Sequence, residues 1–473
     1  MVPDIRLDSS SPEPLYRQLY EQFKTAIRHG GLARGEKLPP TRELAGSLGL
    51  NRTTVAAAYE LLESDGLIRG HVGRGSFVQA LPDRLETRDG VAALPVAARI
   101  SFSASRPSEM LFPLEEFRAT CREVLDSAEA TQILQLGPAA GYAPLRRYLL
   151  DQARERGIAG PDDDILITSG CQQAFDLLQR VFASRGETVL LEDPVYPGLR
   201  NVFARGGARV TGVPLGENEM DELARAVEKE RPRMIVLTPN FQNPTGTTMP
   251  EPARKMVLEV ARKAGAIVVE NDLYGDLRYR GRALPAMKHL DRTAGTIYLS
   301  SFSKIAFPGL RVGWAIGPRH FLAGLIEAKQ ASDLHSDQLS QAVLLRFAES
   351  GRLAAHRGRM RKTGGERLQA CLEACERELP ARSRFTRPEG GMNVWVQLPD
   401  WLDACELASR AEQEGVSFLP GRTFEVSRPQ PHSLRLSFAG LEPKEIRAGL
   451  AVLGKIARSD SGRGVRREEP ALV

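Results

Sequence analysis

Residues 300–314 read SSFSKIAFPGLRVGW, and what surrounds Lys304 in this stretch decides how the chain must be read. One lysine stands among hydroxyls, glycines and apolar side chains. A buried ammonium costs several kcal/mol unless it is paired or neutralised. A lone lysine in such a loop ordinarily lays its stem on apolar surface and keeps its head in water. The alternative is a lysine that reacts with a ligand, and that requires the rest of the chain to build a site around it.

On both sides of this stretch, short apolar strands alternate with amphipathic helices. That is the signature of an α/β fold with a parallel, doubly wound sheet. Such sheets keep their chemistry at the strand ends. DILITSGCQQAF (164–175) reads as a strand, a turn through Gly170, Cys171 and Gln172, and then a helix. Backbone N–H groups behind a glycine turn at a helix start make a phosphate seat, although many such turns bind nothing. TVLLEDPVYPG (188–198) reads as a strand running to Tyr196, and MIVLTPNFQNPTG (234–246) as one ending near Asn243. AIVVENDLYGD (266–276) runs to Asp272 and Tyr274, and TIYLSSFSK (296–304) to Ser301, with Ser303 and Lys304 next and Arg311 beyond.

Each residue has an ordinary explanation when taken singly. Asn243 suits an Asx turn, Asp272 a helix cap, Tyr196 a core aromatic and Arg311 a surface ion pair. Taken together they match one ligand, a phosphorylated pyridine aldehyde, pyridoxal phosphate. Lys304 would form the Schiff base, its amine made reactive because burial and neighbouring charge favour the neutral form. Asp272 would hold the ring nitrogen protonated, Asn243 and Tyr274 would bond the ring hydroxyl, and Tyr196 would stack. Ser301, Ser303, Arg311 and the Gly170–Cys171–Gln172 turn would hold the phosphate.

The size of the chain suits this reading. At 473 residues and 42% hydrophobic content it can bury a large core in two or three domains. No apolar run reaches the roughly 18 residues that span a bilayer, and the N-terminal residues lack a signal peptide's hydrophobic stretch. The five cysteines (Cys121, Cys171, Cys371, Cys375 and Cys405) show no metal-type CxxC spacing. A reduced, cytoplasmic protein without a metal is expected.

The net charge of +5 is too mild to argue for nucleic acid, and residues 1–80 carry ten Lys and Arg against nine Asp and Glu. Position carries the argument instead. Leu15, Leu19, Phe23 and Ile27 form one apolar stripe of a helix that starts after Pro14 and ends at Gly30 and Gly31. Thr41 is expected to cap a second helix bearing Leu44 and Leu48. Gly49 makes a turn, and Asn51 caps a third helix with Val55, Tyr59 and Leu62 inward, stopped at Asp65 and Gly66. Two short helices about a glycine turn form a helix-turn-helix, and HVGRGSFV (71–78) reads as a hairpin wing. Arg42 opens the first helix of the pair. Arg52, Thr53 and Thr54 occupy the first turn of the second, the part that reaches base edges in a major groove. Arg69, His71 and Arg74 fall on the wing. The same pattern also suits a helical protein-interaction module with a basic edge.

Two resemblances narrow these readings. PLY-x-QL, LPPTREL, R-x-TV-x-x-AY-x-x-L and G-x-G-x-FV together resemble the winged helix-turn-helix of the GntR regulators. TSG-x-QQA, NPTG, D-x-Y and SFSK-x-x-x-PGLR-x-GW resemble the fold-type I aminotransferases of the aspartate aminotransferase superfamily. The second resemblance implies that Arg435, in HSLRLSFAG, grips a substrate α-carboxylate from a smaller C-terminal α+β domain. Two departures concern catalysis more than cofactor binding. Leu136 stands where a tyrosine would reach the partner subunit's cofactor phosphate, and Ser105 stands where a glycine is expected over the substrate.

The expected organisation is a winged helix-turn-helix over residues 12–80, a linker over 81–98, an aminotransferase-like body over 99–456 and a disordered tail over 457–473. As a flexible coil the linker would span roughly 20–25 Å. This arrangement resembles the MocR subfamily. The resemblance implies a pyridoxal-phosphate-dependent transcriptional regulator that binds double-stranded operator DNA as a homodimer. Its body would sense an amino compound, or the cofactor itself. An active aminotransferase with an appended DNA-binding module is the competing reading. A pyridoxal-phosphate reservoir has no support beyond the site.

Overall fold

The computed structural model describes residues 5, 7, 14–28, 32, 35–64, 67–71, 75–78, 99–215 and 220–464. Two compact units divide the chain, residues 1–96 and 97–473.

The first unit holds α1 (Leu15–Arg28), α2 (Thr41–Leu48) and α3 (Arg52–Ser64), followed by β1 (Ile68–His71) and β2 (Gly75–Val78). The two strands form an antiparallel hairpin with Ile68 opposite Val78. Leu19, Phe23, Ile27, Leu44, Val55, Tyr59 and Leu62 share one core, as their helical spacing requires. Phe23 and Tyr59 meet edge to face at 5.9 Å. The buried Tyr59 hydroxyl donates to the Pro39 carbonyl at 2.9 Å, so the core contains no stranded phenol. Gly49 closes α2 at φ 65, a left-handed position that favours glycine. Asn51 caps α3 as expected, its side chain accepting from the Thr53 N–H at 3.1 Å. Thr41 does not cap α2. Pro40 is the cap, and its carbonyl already accepts from the Glu43 and Leu44 N–H groups, which makes Thr41 the first helical residue. Gly30, Gly31, Asp65, Gly66, Arg74 and the segment 81–98 lie outside the described residues.

The second unit begins with β3 (Ile100–Ser101) and builds its main sheet from seven strands. These are β4 (Asp163–Thr168), β5 (Thr188–Glu192), β6 (Arg209–Val213), β7 (Met234–Leu237), β8 (Ile267–Asn271), β9 (Thr296–Ser301) and β10 (Gly313–Pro318). Their order is β4-β10-β9-β8-β7-β5-β6. Only β10 runs antiparallel to its neighbours; the other pairings are parallel. The strands are apolar on both faces because helices cover both. Val189, Val236 and Val269 pack with helices Cys171–Phe182 and Arg319–Asp333. Leu190, Ile235 and Val268 pack with helices Met220–Glu230 and Glu251–Ala264.

Three strands stop short of the site residues expected at their ends. β5 ends before Asp193–Pro194 and β7 before Thr238–Pro239, since proline has no N–H for the ladder. β8 ends at Asn271. Tyr196, Asn243, Asp272 and Tyr274 therefore sit on the loops beyond.

A smaller antiparallel sheet contains β11 (Arg384–Phe385), β12 (Asn393–Gln397), β14 (Leu419–Pro420) and β15 (Ser433–Ser437), in the order β11-β12-β15-β14. β13 (Val416–Ser417) pairs in parallel with β3. Helices Arg352–Glu378 and Pro443–Gly464 cover this sheet through Leu368, Cys371, Leu450 and Leu453. The last helix runs past residue 456, where the tail was expected to begin: it continues to Gly464, and Ala457 is buried in the core, while residues 465–473 lie outside the described residues.

Candidate functional site

A cavity of about 380 Å³ opens where β5, β7, β8 and β9 end, and β14, β15 and Phe424 of the smaller part close its far wall. Lys304 projects into it from a single 3-10 turn, Phe302–Lys304. The Ser301 hydroxyl fixes that turn by accepting from the Ser303 N–H at 2.8 Å. Lys304 Nζ donates to the Ser105 carbonyl at 2.6 Å and lies 5.7 Å from the centre of the Tyr274 ring. The lysine is therefore half-buried and held by a neutral acceptor.

Beside it is a built anion seat. Gly170 precedes helix Cys171–Phe182 at φ 75, and a Cβ there would come within 2.3 Å of the Arg311 guanidinium. Arg311 itself takes φ 54 and donates to the Ser303 hydroxyl and the Ser169 carbonyl, each at 3.4 Å. A third bond of 3.4 Å goes to the Pro308 carbonyl, and all three acceptors are neutral, so the guanidinium keeps its charge available. With the N–H groups of the helix start and the hydroxyls of Ser301 and Ser303, it suits a phosphate. The nearby Cys171 is no nucleophile, because burial pushes its thiol up to about 12.

Across the cavity, Arg435 on β15 is buried against Phe424, 5.0 Å from the ring centre. It donates to Asn243 Oδ1 at 3.0 Å and to the Ser103 carbonyl, while its Nε has no partner. Burial lowers its guanidinium to about 10, still charged at neutral pH. Tyr196 precedes helix Pro197–Arg205 and lines the cavity while still half open to solvent.

Lys304, Asn243, Tyr196, Tyr274, Ser301, Ser303, Arg311, Cys171, Gln172 and Arg435 all line this one cavity, and Gly170 lies directly behind it. Asp272 does not. Its carboxylate accepts from Asn240 Nδ2, the Tyr298 hydroxyl and the Gly275 N–H, each at 3.0 Å, on the other side of the backbone. Asn271 lines the cavity instead. Its Nδ2 donates to Thr238 Oγ1 at 3.2 Å, and its buried Oδ1 has no partner. Asn271 is the last residue of β8 and shares a face with Val269, while Asp272 stands beyond the strand in the loop. That alternation was available in the sequence. Thr238, Ser103 and Phe424, which also line the cavity, carry no comparable signal. Ser105 lines it with an unpartnered hydroxyl, whereas Leu136 is exposed and away from it.

In the first unit, Arg42, Asn51, Arg52 and Thr53 are exposed and Thr54 is half-buried. The first turn of α3 thus offers its polar side chains to solvent.

The family model for aminotransferase class I and II matches residues 101–453, and that for the bacterial regulatory proteins of the gntR family matches residues 15–78. A probable rhizopine catabolism regulatory protein, MocR, from Rhizobium meliloti is 30% identical over 94% of this chain and 94% of its own length. The chain belongs to the MocR-type GntR regulators. The body of this regulator also resembles enzymes. A 2-aminoadipate transaminase of Thermus thermophilus is 40% identical over 75% of this chain and 89% of its own length. Among solved structures, a Pyrococcus horikoshii kynurenine aminotransferase has TM-score 0.74 and 35% identity over 77% of this chain and 92% of its own.

Pyridoxal phosphate is the cofactor of this MocR-type regulator, and the cavity fits it. The buried Asn271 Oδ1 and Ser105 hydroxyl have no partner in the chain, and a Cβ at Gly170 would collide with the Arg311 guanidinium in the seat beside Lys304. When bound, pyridoxal phosphate supplies an aldehyde and an electron-withdrawing ring. No described helix is long and apolar enough to cross a membrane.

Proposed function

We propose that this regulator senses a carboxylated amino compound, an amino acid or close relative, at Lys304 and Arg435, and adjusts its grip on operator DNA accordingly. The observation that carries this reading is Arg435: a buried guanidinium with an unpartnered Nε, lining the same cavity as the reactive lysine. A buried cation of this kind matches a carboxylate. In this reading Lys304 binds the cofactor aldehyde, Arg311, Ser301, Ser303 and the Gly170–Gln172 turn hold its phosphate, and Tyr196 stacks on the ring. Asn243 and Tyr274 hold the ring hydroxyl.

The DNA reader acts through Arg52, Thr53 and Thr54 at base edges and through Arg42 and Arg74 at the backbone. A homodimer in the cytoplasm would place two readers on paired half-sites. The enzymes similar to the body favour a second reading, an aminotransferase with an appended reader.

An absorbance titration of purified, cofactor-loaded protein with amines and amino acids separates the two, with operator binding followed in parallel by fluorescence anisotropy. Spectral change and altered DNA affinity without sustained keto-acid formation support the sensor. Steady turnover with no sequence-specific DNA binding overturns it.

A further inference from the structure

We propose that Asn271, a neutral carboxamide, is the partner of the cofactor's ring nitrogen and that this chain holds the ring unprotonated. The inference rests on the cofactor occupying the cavity as described above.

Three observations carry it. Asn271 ends the central strand β8 with its side chain in the cavity, only 6% exposed, and its Oδ1 has no partner within the protein. The lining contains three cationic side chains, Lys304, Arg311 and Arg435, and no carboxylate among the described residues. The nearest acids are occupied elsewhere. Asp272 spends both oxygens on Asn240, Tyr298 and Gly275, and Glu270 accepts from the Met287 and Lys288 N–H groups at 2.9 Å each. Glu192, behind Thr238, is held up at about 8 by burial and accepts from the Thr238 N–H at 2.9 Å. The cavity's remaining titratable groups, Tyr196, Tyr274 and Cys171, carry no charge when protonated.

A pyridinium is stabilised by a nearby anion and opposed by nearby cations. Here no side chain of the described lining supplies that anion. A neutral ring nitrogen, by contrast, is an acceptor, and the Asn271 amide can donate to it. The Thr238 hydroxyl both donates and accepts, so it can satisfy the carboxamide oxygen in that arrangement. An unprotonated ring withdraws electrons weakly, so an amine that took the place of Lys304 on the aldehyde would keep its α proton. Recognition is thereby separated from turnover, as a sensor requires.

The test is nitrogen NMR of the full-length protein reconstituted with pyridoxal phosphate labelled with nitrogen-15 in the ring. Wild type at neutral pH should show the shift of a neutral pyridine. Asn271→Asp should move it upfield to the pyridinium position, and Asp272→Asn should leave it at the wild-type value. A pyridinium shift in wild type overturns the proposal, and its loss in Asp272→Asn would assign the role to Asp272. Operator binding, measured on the same samples, keeps the two readings apart. A neutral ring in a protein that lacks specific DNA binding would sink the regulator and leave Asn271 in place. A pyridinium in a protein whose DNA binding responds to amino acids would do the reverse.

Discussion

Arg435 on β15 and Asn243 in the loop after β7 share a hydrogen bond of 3.0 Å, which ties the small sheet to a strand-end loop of the large one. The guanidinium is oriented by that carboxamide and by the Ser103 carbonyl before any ligand arrives.

Arg435→Ala should therefore leave the absorbance of the bound cofactor intact and weaken the response to amino acids. The loss should be about 2–5 kcal/mol, the range for breaking a buried charged pair. Simple amines without a carboxylate should respond as in wild type. Equal losses for both ligand types would remove the carboxylate from the argument.

Lys304→Ala should abolish cofactor that borohydride fixes to the chain, read as mass added to the intact protein. Cofactor held only through Arg311 and the Gly170 turn should still exchange on dialysis. Fixed cofactor persisting in the variant would show that another amine carries the bond.

Arg52→Ala should cost about 1–3 kcal/mol at the specific operator and relax preference at one base position. Arg42→Ala, a change to a backbone contact, should weaken all sequences alike and lower the salt slope by about one. Anisotropy titrations at several salt concentrations separate these outcomes, and undiminished selectivity in Arg52→Ala would remove α3 from the groove.

Glu192 gives a pH prediction. Burial raises its carboxyl from 4.5 to about 8, so between these values the folded chain keeps a proton that the unfolded chain has lost. Folding stability must then fall as pH rises through that window, by up to about 1.4 kcal/mol per pH unit. Glu192→Gln should flatten that dependence and raise the melting temperature most at the alkaline end. Parallel pH profiles for the two proteins would show that Glu192 ionises normally.

Much of this was legible because it depends on local periodicity. The stripe through Leu19, Phe23 and Ile27, the cap at Asn51 and the strand end at Ser301 follow from spacing and local chemistry alone. Charge singled out Asp272 in the sequence, whereas the end of strand β8 turns Asn271 into the cavity. Thr41 lost the cap to Pro40 for a similar reason, since the proline carbonyl already starts the helix. The roles of Ser103 and Phe424 lay beyond reach, because they depend on chain segments meeting across hundreds of residues. The last helix outran its expected end because Ala457 fills a gap against the small sheet, which a single residue's identity does not announce.

The bond from Lys304 to the Ser105 carbonyl makes the amine both a tether and a reactant. When an amine condenses with an aldehyde, its two hydrogens leave with the carbonyl oxygen as water, so a lysine committed to carbon has surrendered its hold on Ser105. Ser103, two positions earlier, is held in the same way by Arg435, the residue that an incoming carboxylate would engage. These two serines belong to the first described stretch after the segment that leads from the DNA reader. Cofactor at Lys304 and carboxylate at Arg435 would thus each compete for a donor that holds one carbonyl of the 103–105 stretch.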